Sequence, residues 1–537
     1  MEFNPRNDTP YSTYLPEVNS SSIKADFLEG QNSITKAVII AAGNGSRLQG
    51  YQNNCPKPLV KVGGMPLLKR VILSAKKVGV QEFVIVLGYQ AARIRKTISA
   101  KKLGVKITWV RNLEWRNPNG ISVLKAEKYV AGKFYLFMSD HIFDPNILQK
   151  LESLQLVKEC GVLCVDYGLN RVQNLDDATK VRTEHNRLID LGKSLTDFNA
   201  IDAGIFILTP HIFDALRQSQ DNGDYSLSGG IRVLAQENRM RTFNIENSYW
   251  QDVDTIPDVH YAERILLRST RAKNDGIISK LMNRRISNRI TKWLIKTPIT
   301  PNQLSIFNLL FTAFIAWLVS FGRPINTIVG GILFQLASIL DGCDGEVAKI
   351  KLRTSKAGAF VDTITDQISY LIFIIGVTIG AYNTTNDFRV IYVAGISLAF
   401  LLFTLKYGRF YIRKKGSGSM RALDKDISAF KNTEQKAWYL KLFGLFHHLG
   451  RRDMFSFVGS LIMLFGNITL FFWILISSVL LLSTSISISI TSMLSQQHQF
   501  YAFNPIKRFL NLQKNGSESG RTWNVKKPKD PLLEENV

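Results

Sequence analysis

Long runs of apolar residues between positions 304 and 494 constrain the fold of this chain more than any other feature. The first four runs cover residues 304–322, 325–340, 360–382 and 390–405. A helix rises about 1.5 Å per residue, so segments of this length can cross roughly 30 Å of hydrocarbon. Residues 454–494 carry no charge and are too long for one crossing, so we divide them near Gly466 into a short fifth span and a sixth. The sequence therefore predicts an all-α domain of six transmembrane helices over residues 301–495.

Four aspartates lie at or within these apolar runs. Asp341 and Asp344 follow the second run, and Asp362 and Asp366 lie in the third. An ionisable group in the middle of a membrane helix costs roughly 2.5–3.5 kcal/mol on insertion scales, so these groups require compensation. Their i,i+3 and i,i+4 spacings place each pair on one helix face. Two such faces predict an all-oxygen site for Mg²⁺ or Mn²⁺, whereas the alternative is an acidic loop paired with nearby Lys and Arg.

Composition separates the chain into unlike parts. The 537 residues are expected to form about two or three domains, and the net charge of +24 fits basic membrane-proximal loops. Nucleic-acid binding is not predicted, because no basic stripe or known nucleic-acid motif is present. The four cysteines form no CxxC pair, which favours a reducing compartment for the soluble part. We expect a flexible tail (1–33), a soluble α/β domain (34–266), a basic juxtamembrane helix (267–300), the membrane domain (301–495) and a basic tail (496–537).

A glycine-rich turn follows the first apolar run of the soluble part. Residues 36–43 are apolar and rich in β-branched side chains, which predicts a buried parallel strand. The turn contains Gly43, Gly45 and Arg47, and a Pro-Lys-Pro segment places Lys57 shortly after it. Glycines let backbone N–H groups approach a phosphate closely, and Arg47 adds a fork of donors. These residues predict a phosphate-binding loop.

This G-x-G-x-R-L turn followed by P-K-P resembles the sugar-nucleotide pyrophosphorylase family of nucleotidyltransferases, over about residues 36–265. The resemblance implies a doubly wound, Rossmann-like sheet with nucleotide bound at the carboxyl ends of the strands. It also implies that Asp140 and Asp252 hold Mg²⁺, with neighbouring Asp254 as the alternative to Asp252, and that Lys180 contacts the acceptor phosphate. The implied nucleotide-binding residues are Ala42, Gly43, Gly45, Lys57, Gly120 and Asp140.

The chemistry that this resemblance implies is attack of a phosphomonoester on the α-phosphorus of a nucleoside triphosphate, with pyrophosphate leaving. Positioning and charge neutralisation supply most of the rate in such reactions. Arg47 would hold the leaving phosphates, and Lys57 would reach the α-phosphate or the incoming phosphate.

The segment between the two halves is basic and amphipathic. Its apolar residues recur at helical spacing between Ile277 and Leu294, which predicts a helix on the membrane surface or, alternatively, a solvated helix between domains. Basic residues concentrate in the loops that an even number of spans would place on one side. The positive-inside rule then predicts a multi-pass protein of the cell membrane, with the soluble domain and the C-terminal tail in the cytoplasm.

The membrane aspartates resemble the signature of the CDP-alcohol phosphotransferases, D-x2-D-G-x2-A-R-x8-G-x3-D-x3-D, with Lys349 in place of its arginine. The resemblance covers about residues 275–495 and implies a dimer of six-span subunits. It implies that the four aspartates bind metal and the CDP pyrophosphate, with Asp366 as general base. From its position after the fourth run, Arg409 is expected to receive a phosphate of the acceptor, with Arg413 and nearby lysines as alternatives. The implied nucleotide-binding residues are Gly345, Ala348, Lys349 and Gly358.

The fusion suggests two consecutive reactions, in which the first domain makes a CDP-alcohol from CTP and the second consumes it. This arrangement resembles the family of bifunctional enzymes that join an inositol-1-phosphate cytidylyltransferase to a di-myo-inositol-phosphate-phosphate synthase. The acceptor would then be inositol 1-phosphate. Another polyol phosphate or a lipid acceptor is the main alternative. A catalytically inactive nucleotide sensor and an ion-coupled transporter are alternatives of other classes.

Overall fold

The computed structural model describes residues 34–48, 50–99, 103–154, 159–271, 276, 278–414 and 452–496. The predicted N-terminal tail and the predicted C-terminal tail from residue 497 lie outside the described residues. The chain divides into two compact units. The first contains the described residues up to Leu310 together with Ala337–Gln367, and the second contains Phe311–Leu336 and the described residues from Ile368 onward.

The first unit is built around a nine-stranded sheet in the order β5-β4-β1-β6-β11-β8-β12-β10-β9. The strands of the unit are β1 (Lys36–Ala41), β2 (Lys61–Val62), β3 (Met65–Pro66), β4 (Glu82–Leu87), β5 (Lys106–Arg111), β6 (Phe134–Met138), β7 (His141–Phe143), β8 (Gly161–Asp166), β9 (Lys180–Glu184), β10 (Arg187–Gly192), β11 (Ala200–Leu208), β12 (Met240–Asn244) and β13 (Trp250–Asp252). β5, β4, β1 and β6 run parallel to one another, whereas β11 is antiparallel to both of its neighbours, β6 and β8. The predicted buried parallel strand is thus confirmed, in a sheet that is parallel in one half and mixed in the other.

Helices cover both faces of this sheet. They are α1 (Leu67–Lys76), α2 (Ala91–Ser99), α3 (Asn119–Leu124), α4 (Asn146–Glu152), α5 (His211–Asp221), α6 (Leu227–Gln236) and α7 (Ile256–Ser269). Successive residues of β1 enter opposite cores: Ala37 and Ile39 join one apolar cluster, and Val38 and Ile40 join the other. The uninterrupted apolar sequence of β1 follows from this burial on both faces.

Two short structures complete the soluble part. β7 and β13 form an antiparallel ribbon that pairs His141 with Asp252. β2 and β3 form a hairpin directly after the Pro-Lys-Pro segment. Helix α7 begins with a capping box, in which Thr255 and Asp258 satisfy each other's backbone amides.

The juxtamembrane segment contains helix α8 (Arg284–Leu294), preceded by a π-helical turn at Ser279–Asn283. Ser287, Thr291 and Leu294 form its buried face, while Trp293 is 66% exposed. The helix therefore buries one side within the first unit and leaves an aromatic and basic side outside.

The helices that follow are α9 (Pro301–Ser320), α10 (Pro324–Ile350), α11 (Lys356–Thr385), α12 (Phe388–Lys414), α13 (Arg452–Met463) and α14 (Ile468–Gln496). Five helices in the described part are long and apolar enough to cross a membrane, namely α9, α10, α11, α12 and α14. The predicted division near Gly466 is confirmed, since α13 ends at Met463 and α14 begins at Ile468. The 12 residues of α13 span roughly 18 Å, so the sixth crossing stays a prediction.

Close helix packing in the second unit depends on small residues and stacked rings. A Cβ added at Gly376 would lie 2.7 Å from the Cα atom of Ala316, so a glycine lets these two helices touch. The rings of Phe334 and Phe373 stack with their centroids 4.1 Å apart.

Candidate active sites

The turn after β1 lies at the carboxyl end of the parallel strands. The Ala42 carbonyl accepts a 2.9 Å hydrogen bond from the amide of Tyr89, and a Cβ added at Gly43 would meet no atom within 4 Å. Gly45 has a φ of +58°, and a Cβ there would lie 2.5 Å from the Cβ of Lys57. A glycine is required at position 45 both for its backbone conformation and for the close approach of Lys57.

Lys57 bridges two aspartates from distant parts of the sequence. Its ammonium group forms ion pairs with Asp140, which follows β6, and with Asp254, which follows β13. The three side chains are only 15%, 23% and 27% exposed. Burial opposes both charged forms, yet the pKa of Lys57 is raised by Asp140 and Asp254, and the pKa of Asp140 is lowered by Lys57 and His141. Both groups therefore remain charged at neutral pH.

Arg47 lies beside the same pair. Its guanidinium group forms an ion pair with Asp177 and lies 3.5 Å from a carboxylate oxygen of Asp254. Hydrogen bonds from Arg47 and Lys193 lower the pKa of Asp177 to about 2. Asp177 is not among the residues that the sequence predicts, although it lies close before the predicted Lys180.

The two late aspartates point in different directions. Asp254 faces Lys57 and Arg47, whereas Asp252 accepts a 2.8 Å hydrogen bond from the side chain of Gln251. Burial raises the pKa of Asp252 against the attraction of His141. The structure thus brings Asp254, rather than Asp252, to the ammonium group that Asp140 contacts.

His141 supports Asp140 from the side opposite Lys57. Its Nδ1 atom lies 2.8 Å from Oδ1 of Asp140, and its ring stacks on Trp250. Gly204, with a φ of +69°, lies so close that an added Cβ would be 2.6 Å from Nε2 of His141. Burial raises the pKa of nearby Asp202 to about 6. His141 was missed as a site residue, and its position next to a predicted ligand is the signal that could have found it.

Two other predicted residues of this domain have mainly packing contacts. Lys180 begins β9, where its ammonium lies 5.4 Å from the ring centroid of Phe198. Gly120 is buried in α3, and a Cβ there would lie 2.5 Å from the carbonyl oxygen of Tyr225. Gly120 therefore permits α3 to approach the segment before α6.

Three of the four membrane aspartates converge. Asp341 on α10 and Asp362 and Asp366 on α11 each offer one carboxylate oxygen, and these oxygens lie within 4.8 Å of one another. Hard divalent cations take such carboxylate oxygens as ligands. The donor set therefore fits the predicted metal.

Asp344, the fourth aspartate, is buried and held by α9. Its Oδ2 atom accepts a 2.5 Å hydrogen bond from the hydroxyl of Ser305, and its Oδ1 atom accepts one of 2.5 Å from the amide of Gly345. One helical turn further, the side-chain amide of Asn308 donates to Asp341 over 3.4 Å. Ser305 and Asn308 were not predicted, although a polar i,i+3 pair at the start of an apolar run is a visible signal.

The remaining predicted residues around the aspartates differ in their surroundings. A Cβ added at Gly345 would meet no atom within 4 Å, and the amide of Gly358 donates to Ser355 over 2.9 Å. Ala348 is half-buried, whereas Lys349 is exposed and donates a 2.9 Å hydrogen bond to the carbonyl of Thr270. Arg409 is exposed on α12, in the second unit.

Comparison with known proteins identifies both domains of the chain. Residues 37–232 match the MobA-like NTP transferase domain, and residues 298–430 match the CDP-alcohol phosphatidyltransferase family. A protein of Archaeoglobus fulgidus named "Bifunctional IPC transferase and DIPP synthase" is 34% identical over 68% of this chain and 70% of its own length. A protein of the same name from Thermococcus kodakarensis is 34% identical over 66% of this chain and 77% of its own length.

The chain belongs to the family of bifunctional IPC transferases and DIPP synthases. It joins a nucleotidyltransferase domain to a CDP-alcohol phosphotransferase domain, so this member of the IPC transferase and DIPP synthase family is a bifunctional enzyme. Among solved structures, the inositol-1-phosphate CTP transferase from T. maritima has 25% identity and a TM-score of 0.40, over 43% of this chain and 96% of that chain.

Proposed function

We propose that the protein makes CDP-inositol from CTP and inositol 1-phosphate and then transfers inositol phosphate from CDP-inositol to a second inositol 1-phosphate. The products of the second step are the phosphorylated diester and CMP. One observation carries this proposal: a single chain holds one carboxylate site around Lys57 and another formed by Asp341, Asp362 and Asp366. The names of the relatives support inositol over another polyol phosphate or a lipid acceptor.

In the first step, an oxygen of the phosphomonoester attacks the α-phosphorus of CTP, and the bond to pyrophosphate breaks. The loop of Ala42, Gly43 and Gly45 offers backbone amides at the end of β1, where the triphosphate would lie. Arg47 neutralises the leaving phosphates. Lys57, which pairs with Asp140 and Asp254, would contact the α-phosphate of CTP or the phosphate of the acceptor. Lys180 would contact the phosphate of the acceptor.

In the second step, a hydroxyl of the acceptor attacks the β-phosphorus of the CDP-alcohol, and CMP leaves. Asp366 takes the proton of that hydroxyl as general base. The open space beside Gly345 gives room for the nucleotide. Ala348, Lys349 and Gly358 follow as nucleotide contacts from the family signature. Arg409, which follows the fourth apolar run, is proposed from its position as the contact for the acceptor phosphate.

Divalent cations complete both sites. Asp140 and Asp254 would hold one, with Asp252 behind them, and the second would lie among the four membrane aspartates. Mg²⁺ is the expected ion and Mn²⁺ the second choice, since both take carboxylate oxygens. A bound ion supplies neutralisation of the charge on the reacting phosphates.

The membrane arrangement belongs to the same proposal. The positive-inside rule supports a cytoplasmic soluble domain and a cytoplasmic C-terminal tail. The five apolar helices support a place in a lipid bilayer. The resemblance to the CDP-alcohol phosphotransferases, which implies a dimer, supports a homodimer formed through the membrane domain. Protease access to the soluble domain in sealed inverted vesicles, with right-side-out vesicles as the control, tests the orientation.

The proposed chemistry is tested by separating the two reactions. Pyrophosphate release is measured with CTP and a panel of alcohol phosphates, and CMP release is measured with supplied CDP-inositol and inositol 1-phosphate. We expect inositol 1-phosphate to give the highest kcat/KM in the first assay. The cytidylyltransferase step would be refuted if none of the alcohol phosphates in the panel supported pyrophosphate release.

A further inference from the structure

A buried arginine of the soluble domain contacts the end of a metal-site helix. Arg70, on α1, is only 3% exposed. Its two terminal nitrogens donate 2.8 Å hydrogen bonds to the carbonyls of Ile350 and Val62. Ile350 is the last residue of α10, the helix that carries Asp341 and Asp344. The last carbonyls of a helix have no intrahelical partner, and a cation there is favourable.

The carbonyl that Arg70 binds lies at the reversal between the two metal-site helices. Leu352 has a φ of +51°, and the amide of Arg353 donates back to the carbonyl of Ala348 over 2.9 Å. This is the pattern of a helix end closed by a left-handed residue. Helix α11 begins at Lys356 and carries Asp362 and Asp366. The geometry of this turn therefore sets how the two pairs of aspartates face each other.

The soluble domain also packs directly on this turn. A Cβ added at Gly63, in the β2–β3 hairpin, would lie 3.0 Å from the Cγ2 atom of Ile350 and 3.3 Å from a terminal nitrogen of Arg70. Val62, Leu266 and Ile350 belong to one buried apolar cluster. The hairpin and the end of α10 thus share a dry environment, where a hydrogen bond to a charged donor is strong.

Two lysines at the same turn donate hydrogen bonds in the other direction, from the turn to carbonyls near the ends of other helices. Lys349 donates to the carbonyl of Thr270, just after the end of α7. Lys351 donates to the carbonyls of Thr297 and Ile299 over 2.7 and 3.0 Å, just after α8. The ends of three helices thus each receive a cation from another element, which ties the soluble domain to the turn between α10 and α11.

We propose that Arg70 is a positioning residue for the second reaction, although it lies in the cytidylyltransferase domain. It holds the turn after Ile350 and thereby the spacing of Asp341 and Asp344 from Asp362 and Asp366. The soluble domain then stabilises the geometry of the membrane active site and also makes its substrate. This inference rests on the second reaction of the proposed function.

The test uses the full-length chain in lipid nanodiscs and supplies CDP-inositol directly, so that the first site is bypassed. Arg70→Met removes both donors, and Arg70→Lys keeps a cation with shorter reach. Arg93→Met is the matched control, since Arg93 also donates to a backbone carbonyl, that of Asn54, on the surface of the same domain. CMP release is measured against Mg²⁺ concentration, and pyrophosphate release from CTP is measured in parallel.

We expect Arg70→Met to raise the Mg²⁺ concentration for half-maximal CMP release by about tenfold, the effect of losing a hydrogen bond from a charged group. Pyrophosphate release should stay within about twofold of the unmodified chain, and Arg70→Lys should recover part of the Mg²⁺ affinity. An unchanged Mg²⁺ dependence in Arg70→Met would overturn the inference. So would a parallel loss of both reactions in both Arg70 variants, because Arg70 would then stabilise the fold in general. Absence of CMP release by the unmodified chain would instead refute the proposed second reaction.

Discussion

The backbone amide of Val253 donates a 3.1 Å hydrogen bond to the carbonyl oxygen of Asp140. This bond continues the β7–β13 ribbon past its last pair and places the residue after Val253 beside the end of β6. Asp254 and Asp140 can therefore share the ammonium group of Lys57, although 114 positions separate them in the sequence. The geometry of the candidate site around Lys57 depends on this local strand pairing.

The different surroundings of Asp254 and Asp252 predict different effects of the same substitution. Asp254→Asn removes a carboxylate that faces Lys57 and Arg47, so pyrophosphate release should fall by at least about 100-fold. Asp252 lies beside His141 and does not face Lys57, so Asp252→Asn should lower pyrophosphate release less, on the order of tenfold. Steady-state kinetics with CTP and inositol 1-phosphate measure both variants. A larger loss of pyrophosphate release in Asp252→Asn than in Asp254→Asn would indicate that Asp252, and not Asp254, binds the metal.

The close contact of Gly45 with Lys57 predicts a selective defect. Gly45→Ala and Gly50→Ala each place a side chain at a positive φ, of +58° and +86°, and each should strain the backbone by roughly 1–2 kcal/mol. Only Gly45→Ala also pushes against Lys57, whereas a Cβ at Gly50 meets no atom within 4 Å. Pyrophosphate release should fall about tenfold more in Gly45→Ala. Equal losses in the two variants would show that strain alone matters.

The hydrogen bond from Ser305 to Asp344 predicts a role for α9 in the second reaction. Ser305→Ala removes a donor to a buried carboxylate, a loss of roughly 1.5–3 kcal/mol, so CMP release should fall about 10- to 100-fold. Ser320→Ala is the control, since Ser320 donates only to the carbonyl of Trp317 on the same helix and should change little. CMP release at full wild-type rate in Ser305→Ala would mean that Asp344 needs no support from α9.

Asp366 should act only in the second reaction. Asp366→Asn removes the proposed general base and should lower CMP release by about 10²- to 10⁴-fold, while pyrophosphate release is retained. Asp387→Asn serves as the control, because Asp387 pairs with Arg389 between α11 and α12 and does not belong to the acidic cluster. If both reactions fell together in Asp366→Asn, the two sites could not be independent.

Much of the fold and of the sites could be predicted from local sequence. The strand before Gly43, the break near Gly466 and the convergence of Asp341, Asp362 and Asp366 all follow from short-range patterns of hydrophobicity and spacing. Such patterns report which face of a helix or strand a residue occupies. These patterns were sufficient to predict the secondary-structure elements. They also predicted the proximity of residues that lie on the same element or on neighbouring elements.

Contacts between distant segments could not be predicted in this way. The choice between Asp252 and Asp254 depends on the β7–β13 pairing, and the ion pair of Arg47 with Asp177 joins a turn to a remote segment. The hydrogen bond from Lys349, which departs from the family signature, to the carbonyl of Thr270 is likewise seen only in the folded chain. No periodicity in the sequence carries this information, because register and docking are set by tertiary packing.

Product analysis with radiolabelled inositol 1-phosphate tests the central claim most directly. The full-length chain in lipid vesicles receives CTP, Mg²⁺ and inositol 1-phosphate labelled in its phosphate, and products are separated and identified by mass over time. We expect labelled CDP-inositol first and then the phosphorylated diester, with one CMP released per diester, and we expect Asp366→Asn to stop at CDP-inositol. Failure to form labelled CDP-inositol, or diester formation by Asp366→Asn at the unmodified rate, would contradict the two-site account.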